Sequence, residues 1–325
     1  MKKLLALVLA LVMCLGVMSA ANAEDPLKIA LILPGAKDDV SFNQAMYEAM
    51  MVIIEEYGEA IDVSIVENVY DVADIKPALI DYAESGYDIV FGHGFQFMDP
   101  IMELCGDYPE TIFVTGTGYL TDENSGYYNT HLASGGYIMG VIAALATETG
   151  KLGVVGGCEV SEIHQGHAGF KAGAQSVNPE IIIQEVYTND FNDVALAKTT
   201  ADGMYADGVD VIWHSGDGVG LGVVNSALEN NKYCLTNAAD QSGLAPANVV
   251  SGVIYHWEAV IRQIIEDVKA GTFSSGAKEY WCNVENGGVE IGTLLPGALT
   301  EEEAAQVAQL IADIQSGAVV IPMFD

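Results

Sequence analysis

Short β-branched runs alternate with helical patterns along almost the whole chain, and this alternation is the sequence form of parallel sheets covered by helices. Candidate strands fall at 28–33, 62–66, 88–92, 111–115, 152–155, 181–187, 210–214, 233–236 and 249–254. Helical patterns lie between them near 41–57, 73–85, 97–106, 134–149, 161–176, 193–207, 218–230 and 257–270. The last is the clearest: Val260, Ile261, Ile264, Ile265 and Val268 share one face, and Gly271 stands where a C-terminal cap belongs.

One stretch of this pattern occurs twice. Residues 71–88, DVADIKPALIDYAESGYD, align without gaps on residues 193–210, DVALAKTTADGMYADGVD, at an offset of 122, with six of eighteen positions identical. Each copy runs into a hydrophobic strand and then a polar exit, His93-Gly94 in one and His214-Ser215-Gly216 in the other. Helix, turn, strand and exit in a single register point to a duplicated α/β lobe. Ligands of open parallel sheets sit beyond the carboxyl ends of the strands, so two facing lobes are expected to put His93 and His214 on opposite walls of a cleft.

The first residues read as an export signal: Lys2 and Lys3, an apolar run from Leu4 to Met18, and Ala21-Asn22-Ala23 as a cleavage site. The run is short for a membrane span, and no other segment approaches the roughly 20 apolar residues one needs. Leu11-Val12-Met13-Cys14 loosely resembles a lipid-attachment box, but Met13 stands where small residues are usual, so cleavage after Ala23 is favoured over lipidation at Cys14. Without residues 1–23 the chain carries 10 basic groups against 45 acidic ones, a net charge of −35. That charge excludes nucleic acid and anionic membrane surfaces as partners. Arg262 is the only arginine, so no arginine cluster clamps phosphates. At this length two lobes are the default. Cys105, Cys158, Cys234 and Cys282 match no metal-site spacing; one or two disulfides, or four buried thiols, fit equally.

Catalytic signatures are sparse. Thr149-Gly150-Lys151-Leu152 lacks the hydroxyl residue and upstream glycine of a P-loop, and no G-x-S-x-G or H-E-x-x-H occurs. The glycines at 216, 218, 220 and 222 suit a close backbone approach at a helix start. His164 and His167 have chelating spacing but no third ligand nearby, which favours surface or capping roles over metal binding. Aromatics cluster near strand exits: Phe42, Phe95, Phe191, Trp213 and Trp257. Phe191 is flanked by polar residues on both sides, the setting of an aromatic that offers its face to a flat ring. In Ser41-Phe42-Asn43, Ser41 suits an N-cap, Phe42 a stacking surface and Asn43 the edge of a polar ring.

These residues resemble the basic membrane protein (BMP) family of type I periplasmic-binding-fold receptors, over most of the chain from Lys28 to about Leu295. The resemblance rests on Ser41-Phe42-Asn43-Gln44, Phe97-Met98-Asp99-Pro100 and Thr115-Gly116-Thr117-Gly118-Tyr119. It continues through the glycine-rich runs 135–144, 149–157 and 169–174, the Phe191 loop, Ala239-Asp240-Gln241 and the His256-Trp257 helix start. It implies two doubly wound parallel-sheet lobes joined by a three-strand hinge, and the ligand-capturing role in an ABC importer. It also implies a purine base or nucleoside as ligand, with the base between Phe42 and Phe191 and its edge read by Asn43. Nucleoside receptors of the family carry aspartates where this chain has Leu33 and Ala238, and a lysine where it has Tyr255, all near the ribose. Those departures favour a bare purine or another flat heterocycle.

The expectation is therefore an exported, non-enzymatic binding protein, periplasmic or at the cell surface, without cofactor or metal. Its partners would be a small molecule and ABC permease subunits. After the signal at 1–23, one lobe spans 24–130 plus about 254–287 and the other 131–253 plus about 288–325, with crossings near 128–133, 251–256 and 284–290. Candidate ligand-binding residues are Phe42, Asn43, His93, Gly94, Phe95, Phe191, His214, Asp217, Asp240 and Trp257. A sugar receptor of the same fold and a receptor feeding a membrane sensor are the alternatives within binding. A secreted hydrolase using His93 or His214 with Asp217 or Asp240 is the enzymatic one, disfavoured because no nucleophile and base pair is visible.

Overall fold

The computed structural model describes residues 25–324. The export signal and Cys14 lie outside the described residues. Two six-stranded sheets make up the frame. The first is built from β1 (Leu27–Ile32), β2 (Ile61–Val66), β3 (Ile89–Gly92), β4 (Ile112–Gly116), β5 (Ser125–Thr130) and β11 (Glu279–Cys282), in the order β2-β1-β3-β4-β5-β11. The second uses β6 (Lys151–Gly156), β7 (Ile182–Tyr187), β8 (Val211–Ser215), β9 (Tyr233–Thr236), β10 (Val249–Tyr255) and β12 (Val289–Ile291), in the order β7-β6-β8-β9-β10-β12. The two orders are the same five-strand parallel pattern used twice. They differ at the edge, where β11 runs parallel to β5 and β12 antiparallel to β10.

The repeated sequence segments occupy equivalent places in the two lobes. Residues 71–88 form α2 (Val72–Glu84) leading into β3, and residues 193–210 form α6 (Val194–Ala206) leading into β8. The remaining helices are α1 (Phe42–Tyr57), α3 (Met98–Leu104), α4 (Leu132–Ala146), α5 (Ser161–Val177), α7 (Asp217–Asn230), α8 (Glu258–Lys269) and α9 (Glu301–Gln315). The chain passes between the sheets three times: from β5 to α4, from β10 to α8, which packs on α1 and β11, and from β11 to β12.

Strands β5, β11 and β12 and helix α9 were not among the expected elements. β5 reads SGYYNT, without the Val and Ile that mark its neighbours, and β11 and β12 are only 4 and 3 residues long. Such edge and junction strands are held by their partners more than by their own side chains. Among the described residues the four cysteines are free thiols, three of them buried.

Packing divides into three cores. One is continuous across both lobes and includes Met46, Tyr128, Leu132, Phe170, Trp213, Trp257 and Ile261. The outer face of the first sheet is sealed by α2 and α3 through Ile75, Leu79 and Ile101, and that of the second by α6 and α7 through Ala201, Val219 and Val223. In the shared core α4 and α5 approach backbone to backbone. A Cβ on Gly136 would sit 2.1 Å from the Gly166 carbonyl oxygen, and one on Gly140 would sit 2.0 Å from that of Phe170. Gly169 and Gly173 face α4 carbonyls at 2.2 and 2.0 Å in the same sense.

This contact makes a direct prediction. Gly140→Ala forces α4 and α5 apart and should lower stability by about 1–3 kcal/mol or more. Gly203→Ala, on the exposed side of α6 with nothing within 4 Å of the new methyl, should raise it by about 1 kcal/mol. Thermal denaturation of the two variants checks this; a Gly140→Ala protein as stable as the parent would contradict the close packing.

Candidate functional site

The carboxyl ends of both sheets open onto one cavity between the lobes, with about 680 Å³ of empty space including its mouth. Every parallel strand exit of the two five-strand patterns except that of β5 contributes to its wall. From the first lobe come Pro34 and Gly35 after β1, Tyr70 after β2, Gly94, Phe95 and Gln96 after β3, and Thr117 after β4. From the second come Val160 and Glu162 after β6, Phe191 and Asn192 after β7, Gly216 and Asp217 after β8, Asn237 and Ala238 after β9, and Tyr255 at the end of β10. Thr117 and Ala238 hold left-handed backbone at φ 53° and 74°. Left-handed non-glycine residues cluster at functional sites, because only a surrounding structure that over-determines them keeps them there.

Phe42 is the most elaborately supported residue of the wall. One face of its ring stacks on His93, with centroids 3.8 Å apart and planes at 15°. His93 donates from Nε2 to the Phe42 carbonyl at 3.1 Å, so its Nδ1 accepts from the Tyr128 hydroxyl at 2.7 Å. Burial lowers the His93 pKa to about 3, which keeps the ring neutral. Trp257 meets Phe42, His93 and Tyr128 edge-on. The other face of Phe42 is the one a flat ligand can use.

The loop before α1 is held as tightly. Asp39 accepts from the backbone amides of Ser41, Asn43 and Gln44 at 2.8, 3.1 and 2.9 Å, doing the capping expected of Ser41. Ser41 instead stands beside Asp217 across the cleft, where the Phe42 amide donates to Asp217 at 3.4 Å. Val40, at φ 58°, turns its carbonyl to accept from Gln241 of the other lobe at 2.8 Å. Asn43 lines the cavity, but its Oδ1 accepts from the Gly35 amide and its Nδ2 donates to Asp39, so much of its polarity serves the loop.

Of the expected site residues, Phe42, Asn43, Gly94, Phe95, Phe191 and Asp217 share the cavity. His93 and Trp257 lie behind it as the support of Phe42. His214 is fully buried and donates from Nε2 to the Gln241 side chain at 2.9 Å, so it braces the cross-lobe contact and forms no cleft wall. At the 122-residue offset His93 corresponds to Ser215, not His214, which is why the two histidines are not mirror positions. Asp240 is exposed, with its carboxylate turned to the Ser242 amide, because the chain bends outward there. Neither histidine meets an aspartate, so the hydrolytic arrangement is not present. A Ser215, His167 and Glu185 relay does exist at 2.7 and 3.0 Å, but Ser215 is buried and lines no part of the cavity.

Reading the residues by themselves missed Tyr70, Glu162 and Asn237; Tyr255 entered only through the family resemblance, as a position near the ribose. Tyr255 and Asn237 bond each other through hydroxyl and amide at 2.9 and 3.2 Å. Glu162 accepts from the Thr130 hydroxyl and stands beside Tyr255. Burial raises its pKa to about 7, and burial together with the neighbouring Asp39 raises that of Asp217 to about 7. Both acids keep part of their surface on the cavity.

For these two acids the protonated form is the one the folded lobes favour. Their contribution is fully present below the ordinary carboxyl range and is lost as pH rises through about 7. The melting temperature of ligand-free protein should therefore fall between about pH 5 and 8 by an amount worth roughly 1–2 kcal/mol per acid. The pair Glu162→Gln and Asp217→Asn should flatten that fall; an unchanged pH profile would contradict it.

Residues 27–323 match the family model described as "ABC transporter substrate-binding protein PnrA-like". A purine-binding protein of Brucella abortus is 28% identical over 293 residues, covering 89% of this chain and 83% of the relative. An ABC transporter nucleoside-binding protein of Lactococcus lactis is 30% identical, covering 74% and 72%. An ABC transporter solute-binding protein of Aeropyrum pernix has the same fold, with a TM-score of 0.80 at 21% identity over 92% of this chain and 94% of that one. Among the described residues no helix is long and apolar enough to cross a membrane. The duplicated lobes, the interlobe cavity at the strand exits and a match along nearly all of the described residues agree: the chain belongs to the Bmp family of ABC transporter substrate-binding proteins, and it is a solute-binding protein, not an enzyme.

Proposed function

We propose that this protein captures a bare purine, or a closely related flat heterocycle, outside the cytoplasm and presents it to an ABC permease by closure of its two lobes. The observation that carries the reading is the pair of aromatics supplied to one cavity by opposite lobes, Phe42 and Phe191. Phe42 has one face fixed against His93 and one free for a ring. Gly157 lets the Phe191 ring lie close, since a Cβ there would stand 2.3 Å from it. Stacking on two aromatics recognises any flat π-system, and edge groups then set which one.

Two features favour a base over its nucleoside. Where nucleoside receptors of the family resembled by this sequence hold ribose with an aspartate and a lysine, this cavity has Ala238 and Tyr255. The Tyr255 hydroxyl is already bonded to Asn237, so that corner offers a ribose little unspent polarity. The cross-lobe contacts of Asp217 with Ser41 and Phe42, and of Gln241 with Val40, support a hinge closure that buries the ligand. The strongly acidic chain suits an exported protein that meets its permease as its only membrane partner.

A thermal-shift series with purine bases, nucleosides and monosaccharides tests this. A purine base should raise the melting temperature most, and adenosine should bind more weakly than adenine. Phe191→Ala should cost about 1–3 kcal/mol of binding, the worth of one stacked base, without moving the melting temperature of the ligand-free protein by more than a few degrees. Silence from every flat heterocycle would contradict the proposal.

A further inference from the structure

The charge balance of the cavity bears on which edges its ligand presents. Among the described residues lining it, Glu162 and Asp217 carry the carboxyl groups, and no lysine, arginine or histidine accompanies them. A carboxylate has about four acceptor sites. Glu162 uses part of that capacity on the Thr130 hydroxyl, and Asp217 part of its own on the Phe42 amide. Both of those donors are neutral, and the charged neighbour that acts on Asp217 most strongly, Asp39, is itself negative. The buried amides of the wall are largely engaged elsewhere, Asn43 with Gly35 and Asp39, and Asn237 with Tyr255. The buried part of the wall therefore offers a surplus of acceptors, while the side-chain donors without a partner, those of Tyr70, Gln96, Thr117 and Asn192, belong to its half-buried and exposed residues.

A charge held away from water needs a partner or a donor, or it destabilises the state that holds it. Ligand carbonyls and anionic groups would set lone pairs against these acids. Amino groups, ring N–H groups and positive charge supply what the two acids lack. Resting on the heterocycle reading above, we infer that the site selects flat rings that present amino groups or a positive charge to Glu162 and Asp217, and rejects rings that present carbonyl oxygens or negative charge there. Glu162 and Asp217 then act as specificity-determining residues, while Phe42 and Phe191 supply sequence-blind stacking area.

Calorimetric titration of the protein at about pH 8, where both acids are mostly ionised, with adenine, 2,6-diaminopurine, hypoxanthine and urate tests this. The two amino purines should bind at least about tenfold more tightly than hypoxanthine, and urate should not bind, since a buried group left without its partner costs about that much. Glu162→Gln and Asp217→Asn should each weaken adenine about tenfold and narrow its advantage over hypoxanthine; if either fails to fold, the ligand series on the parent protein decides alone. Purines that all bind alike, or hypoxanthine bound most tightly and more so at lower pH, would overturn the inference, the latter by showing that the acids act as protonated donors. A saccharide that binds where no purine does would instead remove the heterocycle reading, and this inference with it.

Discussion

The stack of Phe42 on the neutral His93 ring is the contact on which the site depends. A phenylalanine at the first turn of a helix beside a cavity has rotamers to choose from, and a ligand that needs one of them must otherwise meet the entropy of fixing it. Here the choice is made by the fold. His93 bonds the Phe42 backbone with one nitrogen and Tyr128 with the other, and Trp257 closes the group from the side. The histidine suits this task because burial keeps it uncharged. Tyr128 and Trp257 belong to the core that runs through both lobes and Phe42 packs against it, so the stacking surface is anchored at the junction of the lobes.

Duplication explains why the remaining parts converge. Two copies of one strand order, set with their carboxyl ends face to face, bring loops from both sheets to a common chamber without any loop having to be long. The copies have then diverged in detail. The residue that follows β3 supports Phe42, whereas its counterpart Ser215 bonds His167 of α5. One lobe supplies Phe42 on a rigid support and the other supplies Phe191 from a loop. The acids Glu162 and Asp217 both come from the second lobe, at the start of α5 and α7, and face a first lobe that brings the Phe42 amide to Asp217.

Much of this was legible from residues alone, for definite reasons. Alternating β-branched runs and helical periodicity reflect burial on both faces of each sheet, so the two doubly wound lobes could be read directly. Phe191 stood out because polar residues flank it beyond a strand, and Phe42 because it opens a helix between Ser41 and Asn43; both rings lie partly buried against the shared core. Glu162 gave no such signal: it lies in the first turn of a helix, where an acidic residue ordinarily serves the helix dipole. Tyr255 ends a buried strand and reads as core. His93, His214 and Asp240 show the opposite failure, since a polar residue at a strand exit can turn into the lobe, as the histidines do, or out to water, as Asp240 does. That direction is set by the following turn and by the partner within reach, neither of which a strand pattern contains.

The central claim is that the interlobe chamber is a clamp for a flat ring. Its most direct test is mass spectrometry of the small molecule released by denaturing protein purified without added ligand. The account predicts a heteroaromatic compound, an amino-bearing purine foremost, in near-stoichiometric amount. Recovery of a saccharide, an amino acid or a peptide in its place would contradict it.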